Sequence, residues 1–422
     1  MKVIFGFEQG RRALDRTGSL PSVDANLEAV VSKIVESVRI NGDNALKALT
    51  REYDGVQLES FEVAKPEIEA AKSCVDIELL RALDYAANRI LDYHQIQKTN
   101  IDSYFSLMKG RQLSRPLERV GLYAPGGKAY YPSTVLMTAL PAKAAGAGTI
   151  YLATPPGPEG KIPAPTLAAA AIAGVDGVFS IGGAQAIAAF AYGTQCIPRV
   201  DKICGPGNKF VMTAKKLVFG DVAIDGLQGP SEVLIIADSN SNPRYCATDM
   251  LAQAEHDPDA TSVLVTTSEK LARNVLGEIK EIGNSNSRHD IIVQSLNAKG
   301  KIIIVDNIDE AIELSNIYAP EHLCLLSEQA SARLADFKHA GCVFTGPSAT
   351  VAIGDYVAGP SHALPTSGTA RFSSPLNVWD FLKIIDVVDV DNELIQQSGH
   401  VAVTIAEAEG LSAHALAIKS RM

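Results

Sequence analysis

The sequence predicts an α/β protein: two Rossmann-like α/β domains with parallel-rich sheets, a helical N-terminal region and a helical C-terminal tail. Three observations carry this. From about Glu118 onward, short β-branched runs alternate with helix-forming segments, the pattern of βαβ units and parallel sheet. The alternation comes in two series of similar length. The chain has 422 residues, more than one simple core accommodates.

The first hundred residues read mostly as helix. "NLEAVVSKIVESVRI" sets apolar residues at helical spacing, with Asp24 as a cap and Gly42 as the stop. "PEIEAAKSCVDIELLRALDYAANRILDYHQIQ" continues the helical character. The first alternating series then runs "RVGLYAPG", "STVLMTALPAKAAG", "TIYLATPPG", "APTLAAAAIAG", "GGAQAIAAFAYG", "VDKICGPG" and "NKFVMTAKKLVFG". Inside it, "TPPGPEGKIPAP" is a surface loop. The second series starts at "SEVLIIADS" and passes through "TSVLVTTS", "KIIIVDN", "HLCLLS" and "GCVFTG". Beyond about Ser374 a helical tail ends in "IAEAEGLSAHALAIKSRM". No residue-level repeat links the two series. The division expected is an N-terminal helical arm (1–22), a discontinuous first α/β domain (23–124 with 232–374), a second α/β domain (125–231) and a tail (375–422).

Composition narrows the function. Hydrophobic residues make up 46% and charged residues 20%, ordinary values for a globular enzyme. A net charge of −10 without a Lys/Arg block argues against a broad nucleic-acid surface. "MKVIFGFEQGRR" lacks the apolar core of a secretory signal, and no apolar run approaches the ~18 residues of a membrane span. Cys74, Cys196, Cys204, Cys246, Cys324 and Cys342 form no CxxC pair, which fits reduced thiols in a cytoplasmic protein.

Three glycine-rich turns stand where strands give way to helices: "YAPGGKAYYPS", "SIGGAQAIAA" and "ICGPGNKF". Such turns bring backbone N–H groups close to an anion, and the following helix adds its dipole. None is a GxGxxG or a GxxxxGK[ST], and each alone reads as a tight turn. Together they favour a nucleotide held in a non-standard manner. "YAPEHL" sets the acid Glu321 beside the base His322, a pairing suited to proton transfer. Neighbours in a regular strand face opposite ways, so one site can use both only where the backbone bends, and Pro320 makes an irregular lead-in. "GDYVAGPSHALPTSGTARFSSPLNVWDF" has the texture of a long functional loop and carries Asp355, His362, Arg371 and Asp380. "LAQAEHDPDA" places Gln253 and His256 three apart, on one face of a helix, where both reach one metal ion. By itself that stretch reads first as a helix end, because Asp257-Pro258-Asp259 is a terminator.

Taken in order, "GLYAPGG", "YPSTVLM", "GGAQAIAA", "DKICGPGN", "GPSEVLIIAD", "AQAEHDPDA", "APEHL", "GDYVAGPSHALPTSGTARF" and "EGLSAHALA" resemble the histidinol dehydrogenase family over almost the whole chain. The resemblance implies NAD-dependent oxidation of L-histidinol to L-histidine through the aldehyde, the last step of histidine biosynthesis. It implies one zinc per subunit, bound by Gln253, His256, Asp355 and His414, and catalysis by Glu321 and His322. It assigns Ser231, His362 and Glu409 to the substrate pocket together with His322 and the metal ligands, and Tyr123, Gln185 and Asn208 to NAD on the second domain. It also implies a homodimer whose tail brings Glu409 and His414 to the neighbouring subunit. Glu255, Asp257 and Asp259 are then outer or helix-end residues. The chain departs from the family's usual run in three places: Gly226–Gln228, Cys324 and Ser361. The alternative within the fold is a relative that oxidises another primary alcohol, such as a sulfonated diol, to its acid. Two further alternatives are an aldehyde dehydrogenase using Cys324 or Cys342 as nucleophile, and a non-catalytic nucleotide-binding protein.

Overall fold

Near-continuous apolar runs in the second half of the sequence become strands buried on both faces, as parallel sheets covered by helices require. The computed structural model describes residues 1–16, 25–126, 130–283, 286–346 and 348–422. In chain order its strands are β1 (Lys2–Phe5), β2 (Gln112–Pro116), β3 (Arg119–Tyr123), β4 (Thr149–Thr154), β5 (Gly177–Ser180), β6 (Lys202–Cys204), β7 (Ala223–Ile224), β8 (Glu232–Ala237), β9 (Thr261–Thr266), β10 (Lys301–Ile304), β11 (His322–Leu325), β12 (Cys342–Thr345) and β13 (Leu382–Asp386). A six-stranded sheet has the order β1-β10-β9-β8-β11-β12 and a five-stranded sheet the order β5-β4-β3-β6-β7. Neighbouring strands in both are parallel. β2 and β13 pair separately.

Three expectations change. The N-terminal arm is not purely helical: β1 adds an edge to the six-stranded sheet, in register with Lys301–Ile304, before the helix Phe7–Leu14. The segment containing β3 goes with the five-stranded sheet, since β3 bonds to β4 and β6. The helices Ala25–Asn41 and Asp43–Tyr53 follow it, for Val31, Val38, Leu46 and Leu49 share one core with Tyr123, Ile187 and Phe190. Much of 23–124 therefore packs with 125–231 rather than with 232–374. Third, the tail is not wholly helical, because β13 precedes its helices. The Asp24 cap lies outside the described residues.

The chain divides into two compact units, Met1–Lys98 with Pro116–Leu382, and Thr99–Arg115 with Lys383–Met422. In the smaller unit the helices Asn392–Ala408 and Ser412–Lys419 enclose a small core of Val403, Ala406 and Ala415. Gln112 Nε2 donates to Asp386 Oδ1 at 2.8 Å, tying β2 to β13. Val388, Val401, Ile405 and Leu416 stay exposed there.

The two sheets offer opposite edges. Tyr123, the Gly182–Gly183 turn and the Gly205–Asn208 turn follow the carboxyl ends of β3, β5 and β6. Ser231 and Glu321 precede β8 and β11, at the amino edge of the six-stranded sheet. The helix Pro243–Ala254 links two adjacent parallel strands, β8 and β9, so it returns the chain to that amino edge and ends there.

Candidate active site

Glu321 and His322 reach one site because the backbone bends ahead of them. Ala319 takes the left-handed conformation (φ 50°), which is costly for a residue with a Cβ, and Pro320 follows. Both side chains then grip the same residue. Glu321 Oε2 accepts the Glu232 N–H at 2.7 Å, and His322 Nδ1 lies 2.9 Å from the Glu232 carbonyl. That carbonyl can only accept, so Nδ1 carries the proton and Nε2 the lone pair. Nε2 faces the Asp355 carboxylate at 4.0 Å, at the end of the helix Val351–Tyr356. His362 Nδ1 is 3.1 Å from the Asp355 carbonyl and 4.0 Å from its Oδ1.

The electrostatics follow from burial. Desolvation, aided by His256 and His362, lowers the His322 pKa to about 4, so the ring is neutral. His362 falls to about 4 for the same reason. Desolvation, then the neighbouring Glu232 and Asp355 carboxylates, pushes the Glu321 carboxyl well above its usual range, against the N–H bond it accepts. Asp355 rises to about 7 through desolvation alone. A carboxylate in that state lacks a compensating cation.

Gln253 is the penultimate residue of its helix, buried, and its Nε2 is enclosed without a hydrogen-bond partner. His256 does not share the helix, as the spacing suggested. It stands two residues past the end, in a turn closed by its own N–H to Gln253 O (3.4 Å). The residue is exposed, yet the protein around it desolvates the ring enough to lower its pKa. The acids around it shape the helix end: Glu255 accepts from Asn286 at 3.3 Å, and Asp257 Oδ1 accepts the Asp259 N–H at 2.9 Å. Among the described residues no group of three or more His, Cys, Asp or Glu side chains is gathered as a metal cluster. Glu409 and His414 are exposed on the smaller unit. Ser231 is half-buried beside Glu232.

At the carboxyl edge of the five-stranded sheet, the Tyr123 hydroxyl accepts the Gly183 N–H at 3.0 Å, at the start of the helix Gly183–Tyr192 that carries the buried Gln185. Asn208 is exposed and caps the helix Lys209–Val218, its Oδ1 accepting from Phe210 N (3.0 Å) and Val211 N (3.2 Å). Gly205 has φ +119° and a Cβ there would drive into the Tyr123 carbonyl, so only glycine fits. Sequence reasoning missed what fixes this turn. The fully buried Lys215 pairs with Asp225 and also donates to Gly205 O (3.0 Å) and Gln228 Oε1 (2.9 Å), while Asp225 Oδ2 accepts the Gly205 N–H at 2.7 Å. A lone lysine in an apolar helix face was the available signal.

The three departures have structural roles. Gln228 completes the Lys215 shell. Ser361 Oγ donates to Met137 O at 2.8 Å and accepts the Ala363 N–H at 3.2 Å, fastening the long loop. Cys324 is buried in β11 with Sγ 3.7 Å from Asp249 Oδ2. Burial and Asp249 push its thiol far up, and burial lifts Cys342 to about 11. Burial therefore favours the neutral thiol at both positions, which argues against the cysteine-nucleophile alternative.

A buried acid–imidazole pair facing a carboxylate and further imidazoles, with glycine turns on a second parallel sheet, defines an α/β enzyme equipped for proton transfer. Residues 20–422 match the family model described as histidinol dehydrogenase. The chain is 55% identical over 435 residues to the histidinol dehydrogenase of Dehalococcoides mccartyi strain CBDB1, covering 100% of both chains. It is 46% identical over 406 residues to that of Methanocaldococcus jannaschii, covering 94% of both. The crystal structure of histidinol dehydrogenase from Elizabethkingia anophelis superposes with a TM-score of 0.91 at 34% identity, covering 100% of this chain and 98% of that one. The chain belongs to the histidinol dehydrogenase family, and so to the oxidoreductases.

Proposed function

We propose that the protein oxidises L-histidinol to L-histidine in two steps, each reducing one NAD+, with one water consumed. The reading is carried by the Glu321–His322 pair, held on one residue with the His322 lone pair turned toward Asp355. In the first step His322 Nε2 takes the hydroxyl proton of the alcohol while a hydride leaves its carbon. Burial keeps that nitrogen unprotonated and ready. In the second step water adds to the aldehyde. Glu321, once its own proton has been released, takes one from that water, and the hydrate loses the second hydride. NAD+ would be held on the five-stranded sheet, on the domain expected over 125–231 with β3 added, where it would supply the hydride acceptor for both steps. Tyr123 and Asn208 support this, because the hydroxyl and Asn208 Oδ1 both accept backbone N–H bonds and so leave their own protons to donate.

One zinc per subunit would be held by Gln253, His256 and Asp355 with His414 of the partner subunit. The fit rests on the chemistry of the donor set: the buried Gln253 side chain, whose amide oxygen could coordinate and whose Nε2 has no hydrogen-bond partner, the His256 imidazole, whose protonation desolvation disfavours, and the Asp355 carboxyl, whose pKa desolvation raises. When bound, the ion supplies a template that orients the substrate's imidazole and amino group. Ser231, His362 and Glu409 line the substrate. The homodimer with a shared site is supported by the apolar side chains left exposed on the tail, Val401, Ile405 and Leu416 among them. No helix among the described residues is long and apolar enough to cross a membrane. The six cysteines are free, which suits the reducing cytoplasm. The net charge of −10 favours no nucleic-acid partner. Purified protein given histidinol and NAD+ should form NADH and histidine in a ratio of about two. A ratio of one, or no turnover, overturns the proposal.

A further inference from the structure

We propose that Arg16 and the Glu232 side chain form a clamp that positions Glu321 and His322, so that a residue of the N-terminal arm sets the geometry of both proton-transfer groups. This rests on the roles given to that pair above.

The main chain of Glu232 is the common mount, with Glu321 on its N–H (2.7 Å) and His322 on its carbonyl (2.9 Å). A mount is only as fixed as its own anchors. The Glu232 side chain supplies two of them. Oε1 accepts the Ser367 N–H at 3.2 Å, and Oε2 lies 2.8 Å from Arg16 Nη2. Arg16 grips a second point, its guanidinium lying 3.6 Å from the centre of the Tyr318 ring. Tyr318 stands three residues before Glu321, just ahead of the strained Ala319. Arg16 therefore holds both the strand end that carries the mount and the lead-in that bends the pair into place. The side chains of Arg16 and Glu232 are only 20% and 8% exposed, so the pair sits in a low-dielectric region where one charge without the other is costly. Glu232 also lies beside Glu321, and the Arg16 cation offsets the repulsion between these neighbouring carboxyls. Neither member is among the groups proposed to touch substrate or cofactor. They are positioning residues, and nothing in the sequence marks Arg16 beyond its place in "ALDRTG".

The test uses full-length protein, with wild-type turnover of histidinol to histidine as its control. If wild type fails, the function above falls and the clamp is not at issue. With wild type active, kcat is normalised to sites that bind histidinol by calorimetry, which removes any unfolded fraction. Arg16→Met should lower that kcat about 10–100-fold, the scale of a small misplacement of catalytic groups, with KM for histidinol and NAD+ within about threefold. Arg16→Lys, which keeps the charge, should recover kcat to within about fivefold of wild type. Wild-type kcat in Arg16→Met, a rise in KM without loss of kcat, or Arg16→Lys no better than Arg16→Met overturns the clamp. Should Arg16→Met not fold, Glu232→Asp is read by the same split, since it keeps the charge and shortens the reach by one methylene.

Discussion

Replacing Lys215 by methionine tests how the glycine turn of the five-stranded sheet is held. The ammonium has three protons and three acceptors: Asp225, Gly205 O at 3.0 Å and Gln228 Oε1 at 2.9 Å. Both charged side chains are 1% exposed. Methionine matches the length of the stem but leaves the Asp225 carboxylate with only the Gly205 N–H, and leaves two further acceptors dry. Removing one partner of a buried pair costs about 3–5 kcal/mol, because the survivor's desolvation is no longer offset. At a urea dependence near ~3 kcal/mol per molar, the top of the usual range, the unfolding midpoint should drop by about 1–1.7 M. The comparison must be made at equal protein concentration, since assembly contributes to apparent stability. The KM for NAD+ should rise as well, because Gly205 loses a main-chain anchor. A midpoint within about 0.3 M of wild type would show that the pair is not the anchor, and the reasoning from burial would fail.

Glu321→Gln should oxidise supplied histidinol to the aldehyde while oxidising supplied aldehyde about 10²–10⁴-fold more slowly than wild type; equal loss in both steps reverses the division of roles. Chelation should abolish turnover with the far-ultraviolet circular dichroism retained, because two large sheets need no metal to stand; collapse of the spectrum contradicts this. Refolding a His414→Ala chain with a Glu321→Gln chain should recover about a quarter of wild-type activity, since half the dimers are mixed and each has one intact site; mixed dimers without activity would place the tail in its own chain's site. Asp54 supplies a pH test. Burial raises its carboxyl to about 6, and its Oδ2 has no partner among the described residues. A raised folded-state value gives stability below the unfolded value that is lost as pH climbs through about 6. Asp54→Asn should therefore be more stable than wild type at pH 7–8, by about 1–2 kcal/mol once partial exposure is discounted, and gain nothing near pH 3; a gap independent of pH would refute this.

Periodicity made the two parallel sheets legible, since strands such as "EVLIIA" and helices such as "NLEAVVSKIVESVRI" carry their pattern locally. β1 was not legible, because its partner lies almost three hundred residues away and four residues have no period to read. The reach of β3 into the five-stranded sheet was hidden for the same reason: hydrogen-bond partners are a property of topology. At the site, "APEHL" announced an acid and a base, and Pro320 the bend that joins them. What they hang from could not be read, because the mount is a backbone and its anchor, Arg16, sits far off in an undistinguished run. The spacing of Gln253 and His256 suggests one helix face, but the helix ends at Ala254, two residues short of His256 and ahead of the Asp257-Pro258-Asp259 terminator.

Residues 225–231 are the whole connection between β7 and β8, and they run from the carboxyl edge of one sheet to the amino edge of the other. Fully stretched, that connection spans less than about 29 Å. Along it lie Asp225 and Gln228, which brace the Gly205 turn through Lys215, Gly229, whose N–H reaches Thr366 Oγ1 at 2.6 Å, and Ser231, next to the residue that holds Glu321 and His322. For the proposed reaction, which would use two NAD+ in succession on one substrate, this strap ties the turn proposed to hold NAD to one frame and the residues proposed to hold the substrate to another. Length is then the quantity to protect in any redesign of 226–228: Gln228 stays to complete the Lys215 shell, and adding or deleting one residue would slide the two frames out of step.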